Sequence, residues 1–192
     1  MIIAIKDKDR VVLGYLNTDR WSAMCENDYV DEENVAIKFT NKDTTFALCE
    51  SDRRSDLLLY EDTFLNIDIN PKSIVKEVIP YIKHQLKEND IPIKDGSWEN
   101  ALIICDNEHL YDVNTSFGFR EIDDYVCHGY NMSVVKSALD SLVDLPAEER
   151  IIKAIKFVEK MYKIALFPLV LTNTKDKQLK TIYRGEDVLW EF

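Results

Sequence analysis

Cysteines, histidines and a run of carboxylates are the side chains in this sequence that could act as nucleophiles, bases or metal ligands. Cys127 and His128 are adjacent, and they are the residue types that a thiol nucleophile and its general base require. They lie in the string YVCHG, which is typical of a strand, and neighbouring residues of a strand point to opposite faces. We therefore expect Cys127 in the core and His128 at a sheet edge, with no direct contact between thiol and ring.

The remaining histidines and the buried-type cysteine are isolated from one another. Cys105 ends the apolar run ALIIC and is predicted to be buried. His84 lies between Lys83 and Gln85, on a predicted solvated helix face, and His109 begins the predicted strand HLYDV. We expect Cys105 and His84 to take no part in chemistry.

Carboxylates concentrate between residues 17 and 34. Oxygen ligands suit calcium, but this loop lacks the D-x-[DN]-x-[DN]-G order of a calcium loop, and a solvated run of charge is the favoured interpretation. No histidine, cysteine or carboxylate pair has a convincing metal-ligand spacing. The sequence therefore predicts no metal and no cofactor. The loop carboxylates are Glu26, Asp28, Asp31, Glu32 and Glu33.

Length and charge restrict the class of protein. A chain of 192 residues is expected to form one domain, residues 1–192, with a sizeable core. Its 24 basic and 35 acidic residues give a net charge of −11, which argues against binding to nucleic acid or anionic membranes. The start MIIAIKDKD has an apolar run too short for a signal peptide, and no apolar run in the sequence approaches the length of a membrane-spanning helix.

The cysteine pattern indicates the compartment. The four cysteines contain no C-x-x-C pair, so we interpret them as reduced thiols and expect a cytoplasmic protein. They are Cys25, Cys49, Cys105 and Cys127.

Strand and helix periodicities alternate in blocks along the chain: four strands, two helices, three strands, two helices and two strands. This segregation predicts an α+β fold, a four-layer αββα sandwich of two antiparallel sheets flanked by helix pairs. Pro80, in the middle of the second helix, predicts a kink. The predicted hairpins are IIAIKD/RVVLGYL, VAIKF/TTFALC, ALIICD/HLYDVN and FPLVLTN/LKTIYRG, with FREIDDYVCHG as a further single strand. The predicted helices cover 51–66, the segment after the Asn70 cap, 131–143 and 146–166.

Apolar periodicity predicts the buried positions, at period 2 in strands and 3.6 in the helix after Pro146. The expected core residues are Ile3, Ile5, Val12, Ile103, Cys105, Val113, Ile151 and Ile155.

The element order and several strings resemble the proteasome β-subunit and HslV group of N-terminal nucleophile (Ntn) hydrolases. IIAIKDKDRVVLGY is similar to the opening hairpin of that family, and HLYDVNTSFGFREIDDYVCHGYNMSVVKSALDSL is the most specific match. PAEERIIKAIKFVEKMYK and LVLTNTKD are similar to the next helix and the closing strand and turn. The resemblance covers the whole chain and is of the β type, since the N-terminal extension of α-subunits has no counterpart here.

This resemblance implies a threonine, serine or cysteine at the first position, whose α-amine serves as base, and backbone donors for the oxyanion. Met1 stands at the nucleophile position, and neither its thioether nor Ile2 can supply a nucleophile. The supporting aspartate corresponds to Leu16, beside Asn17. Processing at Thr44-Thr45 is disfavoured because it would remove a hairpin that belongs to the core.

Three further positions implied by the resemblance also depart from the family. The family's lysine falls near Asn34 or Ala36, with Lys38 out of register. The glycine that donates to the oxyanion is replaced around Cys49-Glu50, and the late Asp-x-x-Ser-Gly becomes the apolar segment 164–168. Together with Met1 and Leu16, these changes predict that the site has been abandoned.

Three functional hypotheses follow. The first is a non-catalytic, proteasome-like protein that acts through assembly or binding. The second is an active peptidase or amidohydrolase with another nucleophile, such as Cys25 or Cys49. The third is an inactive subunit that requires a catalytic partner.

Apolar surface in excess of one helix face suggests a homo-oligomer, most simply a dimer, with a ring or another protein partner also open. This surface is expected in the helix 51–66, which carries Leu57, Leu58 and Leu59, and in the tail 188–192.

Overall fold

The computed structural model describes residues 1–16, 36–49, 53–59, 67–129, 131–163, 166 and 168–183. Within these ranges, ten strands form two five-stranded antiparallel sheets. Sheet A has the order β10-β9-β2-β1-β8, and sheet B has the order β3-β4-β5-β6-β7. The strands are β1 (Ile2–Asp7), β2 (Arg10–Tyr15), β3 (Ile37–Phe39), β4 (Thr45–Leu48), β5 (Leu102–Cys105), β6 (Leu110–Val113), β7 (Phe119–Glu121), β8 (Tyr125–His128), β9 (Leu169–Asn173) and β10 (Lys180–Ile182).

Helices complete the predicted α+β sandwich. The described helices are α1 (Arg53–Leu59), α2 (Pro71–Ser73), a π-helical segment (Ile74–Val78), α3 (Ile79–Glu88), α4 (Met132–Asp140) and α5 (Ala147–Tyr162). Helices α4 and α5 pack on each other and on sheet A, and buried residues of α3 join the core cluster of sheet B. In the described part of the chain, no helix is both long and apolar enough to cross a bilayer.

The four predicted hairpins are confirmed. In the first, Lys8 and Asp9 connect β1 to β2, and Asp7 faces Arg10 across the turn. Lys8 adopts a left-handed backbone conformation (φ 50°), as tight hairpin turns require. Strand β1 pairs with both β2 and β8, so it lies inside sheet A rather than at an edge.

The prediction of one strand for FREIDDYVCHG is wrong. The segment forms two strands that belong to different sheets, β7 in sheet B and β8 in sheet A, so four strands rather than three separate the helix blocks. Short alternating strands look continuous in the sequence, but the chain crosses between the sheets at 122–124. The backbone of Asp124 marks the arrival in sheet A, because its carbonyl accepts the N–H of Lys6 at 2.7 Å.

Arg150 anchors this crossover to the helices. Its guanidinium Nη1 donates to Asp124 Oδ1 at 2.8 Å, and its Nε donates to the carbonyl of Leu139 at the end of α4 at 3.0 Å. Arg150 is 4% exposed, so a buried cation is satisfied by a carboxylate and a helix C-terminal carbonyl. The same side chain thus links α4, α5 and the point where the chain changes sheets.

The segment after Asn70 begins as the sequence predicts. The Asn70 side chain accepts the N–H groups of Lys72 and Ser73, and the Ser73 hydroxyl accepts the N–H of Asn70, which forms a capping box. The apolar stripe of this segment is buried, as expected: Ile74, Val78, Ile82 and Leu86.

A π-helical segment lies directly before Pro80. Proline has no N–H to donate to the carbonyl four residues earlier, and its ring crowds that carbonyl. A wider turn relieves this conflict, and the N–H of Ile79 accordingly donates to the carbonyl of Ile74, five residues back. The local effect of the proline is therefore a π turn.

Helix ends differ from the predicted bounds. Helix α4 ends at Asp140 rather than 143, and α5 ends at Tyr162 because Lys163 adopts a left-handed conformation (φ 55°). Helix α1 covers 53–59 of the predicted 51–66, and the remainder lies outside the described residues. Leu58 is buried and Leu57 and Leu59 are half-buried. The rest of the apolar surface expected in 51–66, and the tail 188–192, lie outside the described residues.

All eight predicted core residues are buried. Ile3, Ile5, Val12, Ile151 and Ile155 belong to a cluster between sheet A and helices α4 and α5. Ile103, Cys105 and Val113 belong to a second cluster, which includes the facing sides of the sheets and the buried stripe of α3.

Truncation of Ile155 to alanine tests the assignment of the buried face of α5. Because Ile155 is fully buried, we expect the free energy of unfolding to fall by about 2–5 kcal/mol, measured by chemical denaturation. The exposed Ser137→Ala on α4 is the control and should change this free energy by less than about 0.5 kcal/mol. A loss below about 1 kcal/mol at Ile155 would place another face of α5 against the sheet.

Candidate functional site

The candidate site is the end of the sandwich where β1 begins. The amine of Met1 donates to the carbonyl of Leu16 at 2.8 Å, and the N–H of Leu16 donates to the carbonyl of Met1 at 2.9 Å. These two hydrogen bonds lengthen the β1–β2 ladder by one residue in each strand, Met1 before β1 and Leu16 after β2. Met1 is 2% exposed, and its side chain belongs to the cluster beneath α4 and α5, with Leu16 and Cys127.

Gly129 closes over Met1 from the other side. It follows β8, has φ +123°, and a Cβ added there would lie 2.8 Å from the Cα of Met1. Both the backbone conformation and the close approach therefore require glycine. Residue 1 is held between β2 on one side and the end of β8 on the other.

The position of the expected lysine carries no charge. Ala36, which precedes β3, is fully buried, and its carbonyl accepts the N–H of Leu48 at 2.8 Å. Asn34 and Asn17 lie outside the described residues. Leu16, at the position of the expected aspartate, is 2% exposed and presents its carbonyl to the amine.

Lys38 lies on the wrong face of β3 to replace that lysine. Residues paired across neighbouring strands share a face of the sheet. One such row crosses sheet B and consists of Ile37, Ala47, Ile103 and Asp112. Asp112 contacts sheet A, so the Ile37 face is the inner one and Lys38 lies on the outer face. The prediction that Lys38 is out of register agrees with this placement.

The amide of Cys49 is committed to internal hydrogen bonds. It donates to the carbonyl of Ala101 at 3.0 Å and to Asn100 Oδ1 at 3.2 Å. Asn100 is 2% exposed, and its Nδ2 donates to Ser55 Oγ at 3.1 Å, so it joins β4, β5 and α1. This N–H is therefore not directed at a substrate oxyanion, and Glu50 lies outside the described residues.

An ionic cluster of Asp112, His128 and Arg120 joins the two sheets close to Met1, because His128 pairs with Ile2, the next residue of the chain. Asp112 on β6 accepts hydrogen bonds from His128 Nε2 at 2.6 Å and from Arg120 Nε at 2.9 Å. Arg120 faces Asp112 on the neighbouring strand, whereas His128 comes from sheet A, where it pairs with Ile2. The side chain of Asp112 is 1% exposed, so its charge is neutralised from both sheets.

The surroundings of Asp112 determine the protonation state of its carboxyl group. Burial by itself raises the pKa of Asp112, but the hydrogen bonds and charges of His128 and Arg120 outweigh burial and hold this pKa below its ordinary value. An ionised carboxylate only accepts, so Nε2 of His128 carries a proton and donates it to Asp112 Oδ1. The structure gives His128 no hydrogen bond to a described serine, threonine or cysteine.

Cys127 and His128 lie on opposite faces of β8, as the sequence predicts. Cys127 is fully buried under α4, where its Sγ lies 3.6 Å from the carbonyl of Met132, while His128 on this edge strand faces sheet B. Burial raises the pKa of the Cys127 thiol to about 11 and also raises that of Cys105. Both thiols are therefore protonated at neutral pH and are poor nucleophiles.

The other candidates form no second site. His84 is exposed beside Glu88, and His109 Nδ1 lies 3.2 Å from the Asp106 carboxylate at the start of β6. Cys25 and the carboxylates of 17–34 lie outside the described residues. Among the residues that the structure describes, no group of three or more histidine, cysteine or carboxylate side chains could hold a metal ion.

The structure describes only part of the apolar segment 164–168. Leu166 is 5% exposed within the cluster beneath α4 and α5, and its N–H donates to Glu159 Oε1 at 2.7 Å. Residues 164, 165 and 167 lie outside the described part of the chain.

Sequence reasoning did not find the Asp112–His128–Arg120 cluster. A signal was present, because Asp112 interrupts the apolar strand HLYDV, and a charge in a buried strand needs a partner. The sequence did not identify the partner of Asp112, because β6 and β8 belong to different sheets and no signal indicated that the chain crosses from one sheet to the other.

Comparison with solved structures identifies the type of fold. Thiobacillus denitrificans BPH, alone and in complex with epoxomicin, superposes with TM-scores of 0.68 and 0.69 at 17% and 16% identity. These superpositions cover 90% of this chain and 97% and 96% of the BPH chains. HslV from Trypanosoma brucei superposes with a TM-score of 0.55 at 14% identity, covering 90% of this chain and 97% of HslV. The chain therefore has the proteasome β-subunit/HslV type of Ntn-hydrolase fold that the resemblance implied.

At this low identity, the likeness establishes the fold alone. No protein-family model and no curated protein sequence matches the chain.

Replacement of Asp112 by asparagine tests the ionic cluster. Because the variant leaves His128 and Arg120 without their charged acceptor, we expect the free energy of unfolding to fall by about 1.5–3 kcal/mol at pH 7. The pKa of Asp112 is lower in the folded protein, so this difference should be complete above the ordinary pKa of about 3.9 and should narrow as the pH falls below it.

The exposed Asp123→Asn removes the same charge and serves as the matched control, with an expected change of less than about 0.5 kcal/mol. Urea denaturation between pH 3 and 7 measures both variants. A difference for Asp112→Asn that stays constant across this range would contradict the ionised cluster.

Proposed function

We propose that this protein is a non-catalytic relative of the proteasome β-subunit/HslV type, which acts in the cytoplasm as one domain through assembly or binding. The observation that carries the proposal is the environment of Met1. The family resemblance aligns Met1, with its thioether, to the nucleophile, and Met1 is 2% exposed in the core beneath α4 and α5. Among the described residues, Met1 is packed in the core rather than presented to a substrate carbonyl.

The amine of residue 1 supports the same conclusion. In an N-terminal nucleophile mechanism the α-amine acts as base and must receive the proton of the neighbouring hydroxyl or thiol. Here the amine is bound to the carbonyl of Leu16, in the position that continues the β1–β2 ladder. Its role in this chain is to complete a sheet.

The electrostatic elements of such a site are also missing from the described residues. The amide of Cys49 is bound to Ala101 and Asn100, the expected lysine position is Ala36, and Lys38 lies on the outer face of sheet B. Stabilisation of an oxyanion needs donors aimed at the developing charge. None of these groups is placed for that purpose.

A thiol-dependent hydrolase is less well supported. The described cysteines are buried and form no disulfide, and burial raises the pKa of Cys105 and Cys127. Cys49 is 6% exposed and lies against the core. The third hypothesis, an inactive subunit with a catalytic partner, is a form of the proposed assembly role.

Intact-mass spectrometry with and without epoxomicin tests the proposal. We expect a single species of 22.4 kDa that retains Met1 and gains no adduct, because residue 1 offers no nucleophile. Thiobacillus denitrificans BPH, treated in parallel, is the positive control, since its structure in complex with epoxomicin has been solved. An adduct at the N-terminal residue, or a shortened chain that begins with threonine, serine or cysteine, would overturn the proposal.

Fluorogenic peptides and small amides test the thiol alternative. We expect no turnover, and a Cys49→Ala variant should behave like the parent protein. Turnover that disappears in Cys49→Ala would instead establish that the protein is a thiol-dependent hydrolase.

A further inference from the structure

A stripe of lysines runs along the helical segment 71–88, which consists of α2, the π-helical segment and α3. Each of these lysines is one or two residues from a buried residue of the same segment, and so lies about 100–200° around the helix axis from it. The stripe is therefore on the side of the segment that faces away from the core. The lysine stripe consists of four exposed side chains: Lys72, Lys76, Lys83 and Lys87.

Most of the lysine stripe has no ion pair within the described chain. No described carboxylate lies within ion-pairing distance of Lys72, Lys76 or Lys87, and Lys83 lies over the ring of Phe117, 4.6 Å from its centroid. Several lysines elsewhere are paired, as in Lys42–Asp68, Lys153–Glu149 and Lys177–Asp43. The charge of the stripe is therefore not compensated by the part of the chain that the structure describes.

The segment also has the opposite sign of charge to the chain as a whole. Residues 71–88 contain four lysines and two glutamates, a net charge of +2, whereas the whole chain has a net charge of −11. One of these glutamates, Glu88, lies 4.0 Å from the ring of His84. A positive stripe on an acidic protein attracts anionic groups to one place on its surface.

The π turn at the centre of the stripe leaves a backbone acceptor without a helical donor. The N–H of Ile79 donates to the carbonyl of Ile74, and Pro80 has no N–H. Within the described helix, the carbonyl of Val75 therefore receives neither the donor of an α turn nor that of a π turn. Val75 is 47% exposed and precedes Lys76, so this acceptor lies at the surface beside the lysines.

We propose that the lysine stripe binds an acidic segment of another protein, which places carboxylates on Lys72, Lys76 and Lys87 and a backbone N–H on the Val75 carbonyl. The inference rests on the binding role proposed above and specifies its surface and the chemistry of the partner. The stripe is about 22 Å long, the length of about seven residues of an extended chain. An ammonium group accepts carboxylates in many geometries, so length and charge are the main requirements on the partner.

An acidic polypeptide fits this surface better than a nucleic acid or a lipid bilayer does. The segment 71–88 contains no arginine, whereas recognition of phosphate groups favours the planar guanidinium. A polypeptide backbone also offers an N–H to the Val75 carbonyl, which phosphates do not. A duplex or a bilayer extends beyond the stripe and meets the acidic remainder of the surface, whereas a short segment contacts the stripe alone. Charges farther away than about 10 Å are largely screened at about 0.1 M salt.

Fluorescence anisotropy of a labelled peptide of sixteen glutamates, titrated with the full chain, tests the proposal. The variant Lys72→Gln/Lys76→Gln/Lys87→Gln is compared with the parent protein at about 0.1 M salt. We expect its dissociation constant to be at least about fivefold higher, because three exposed ion pairs of modest strength are lost together. Near-UV circular dichroism verifies that the variant is folded.

The matched control is Lys153→Gln/Lys160→Gln/Lys163→Gln, which removes the same charge from exposed lysines in α5 and directly after it. This control should change the dissociation constant by less than about twofold, since these lysines do not belong to the stripe. Equal weakening by the two triple variants, or no binding of the peptide to the parent protein, would overturn the lysine stripe as a docking surface.

A single variant keeps the test decisive if the triple variant fails to fold. Lys76→Gln, beside the Val75 carbonyl, should raise the dissociation constant about twofold, and an unchanged constant would contradict the proposal. Labelled single-stranded oligothymidylate and phosphatidylserine vesicles are titrated in parallel. Tighter binding of either one than of the glutamate peptide would overturn the choice of a polypeptide partner.

Failure of this inference is distinguishable from failure of the proposed function. A peptide that does not bind, together with the absence of an epoxomicin adduct, overturns the lysine stripe and leaves the non-catalytic assignment intact. An epoxomicin adduct at the N-terminal residue overturns the proposed function, whatever the result with the peptide.

Discussion

The backbone of residue 1 is enclosed on both sides, by pairing with Leu16 and by close contact with Gly129, and the geometry of the N-terminal end follows from this constraint. Strand β1 lies inside sheet A, so its first residue is covered by Leu16 on one side and by Gly129 on the other. An unpaired backbone group at this depth would cost about as much as a lost hydrogen bond. The amine therefore binds the Leu16 carbonyl, and Gly129 has no side chain because a Cβ would touch Met1.

The two sheets are joined beside this position by a buried charge rather than by apolar contact alone. Asp112 is tied to Arg120 within sheet B and to His128 in sheet A, where His128 pairs with Ile2. Breaking such a cluster leaves an uncompensated buried ion, so it restricts how the sheets can sit. The described contacts around residue 1 therefore stabilise the sandwich.

Local rules were sufficient for much of the fold. The Asn70 cap, the hairpin at Lys8-Asp9 and the buried face of α5 each depend on residues close in sequence. The crossover at 122–124 was missed because strands β7 and β8 have the same alternation, and only pairing partners distant in sequence assign them to different sheets. The Asp112–His128 contact was missed for the same reason, whereas the opposed faces of Cys127 and His128 followed from strand geometry alone.

The accessibility of the Met1 amine tests the central claim, that residue 1 completes the sheet, most directly. An amine-selective reagent at neutral pH labels free α-amines in preference to lysines, since the pKa of an α-amine is about 7.7–8.0. Because the Met1 amine is bound and buried, its labelling in the folded protein should be at least about tenfold slower than in urea, as judged by N-terminal peptide mass spectrometry. Equal rates in the folded and unfolded protein would show an open N-terminus and contradict the account.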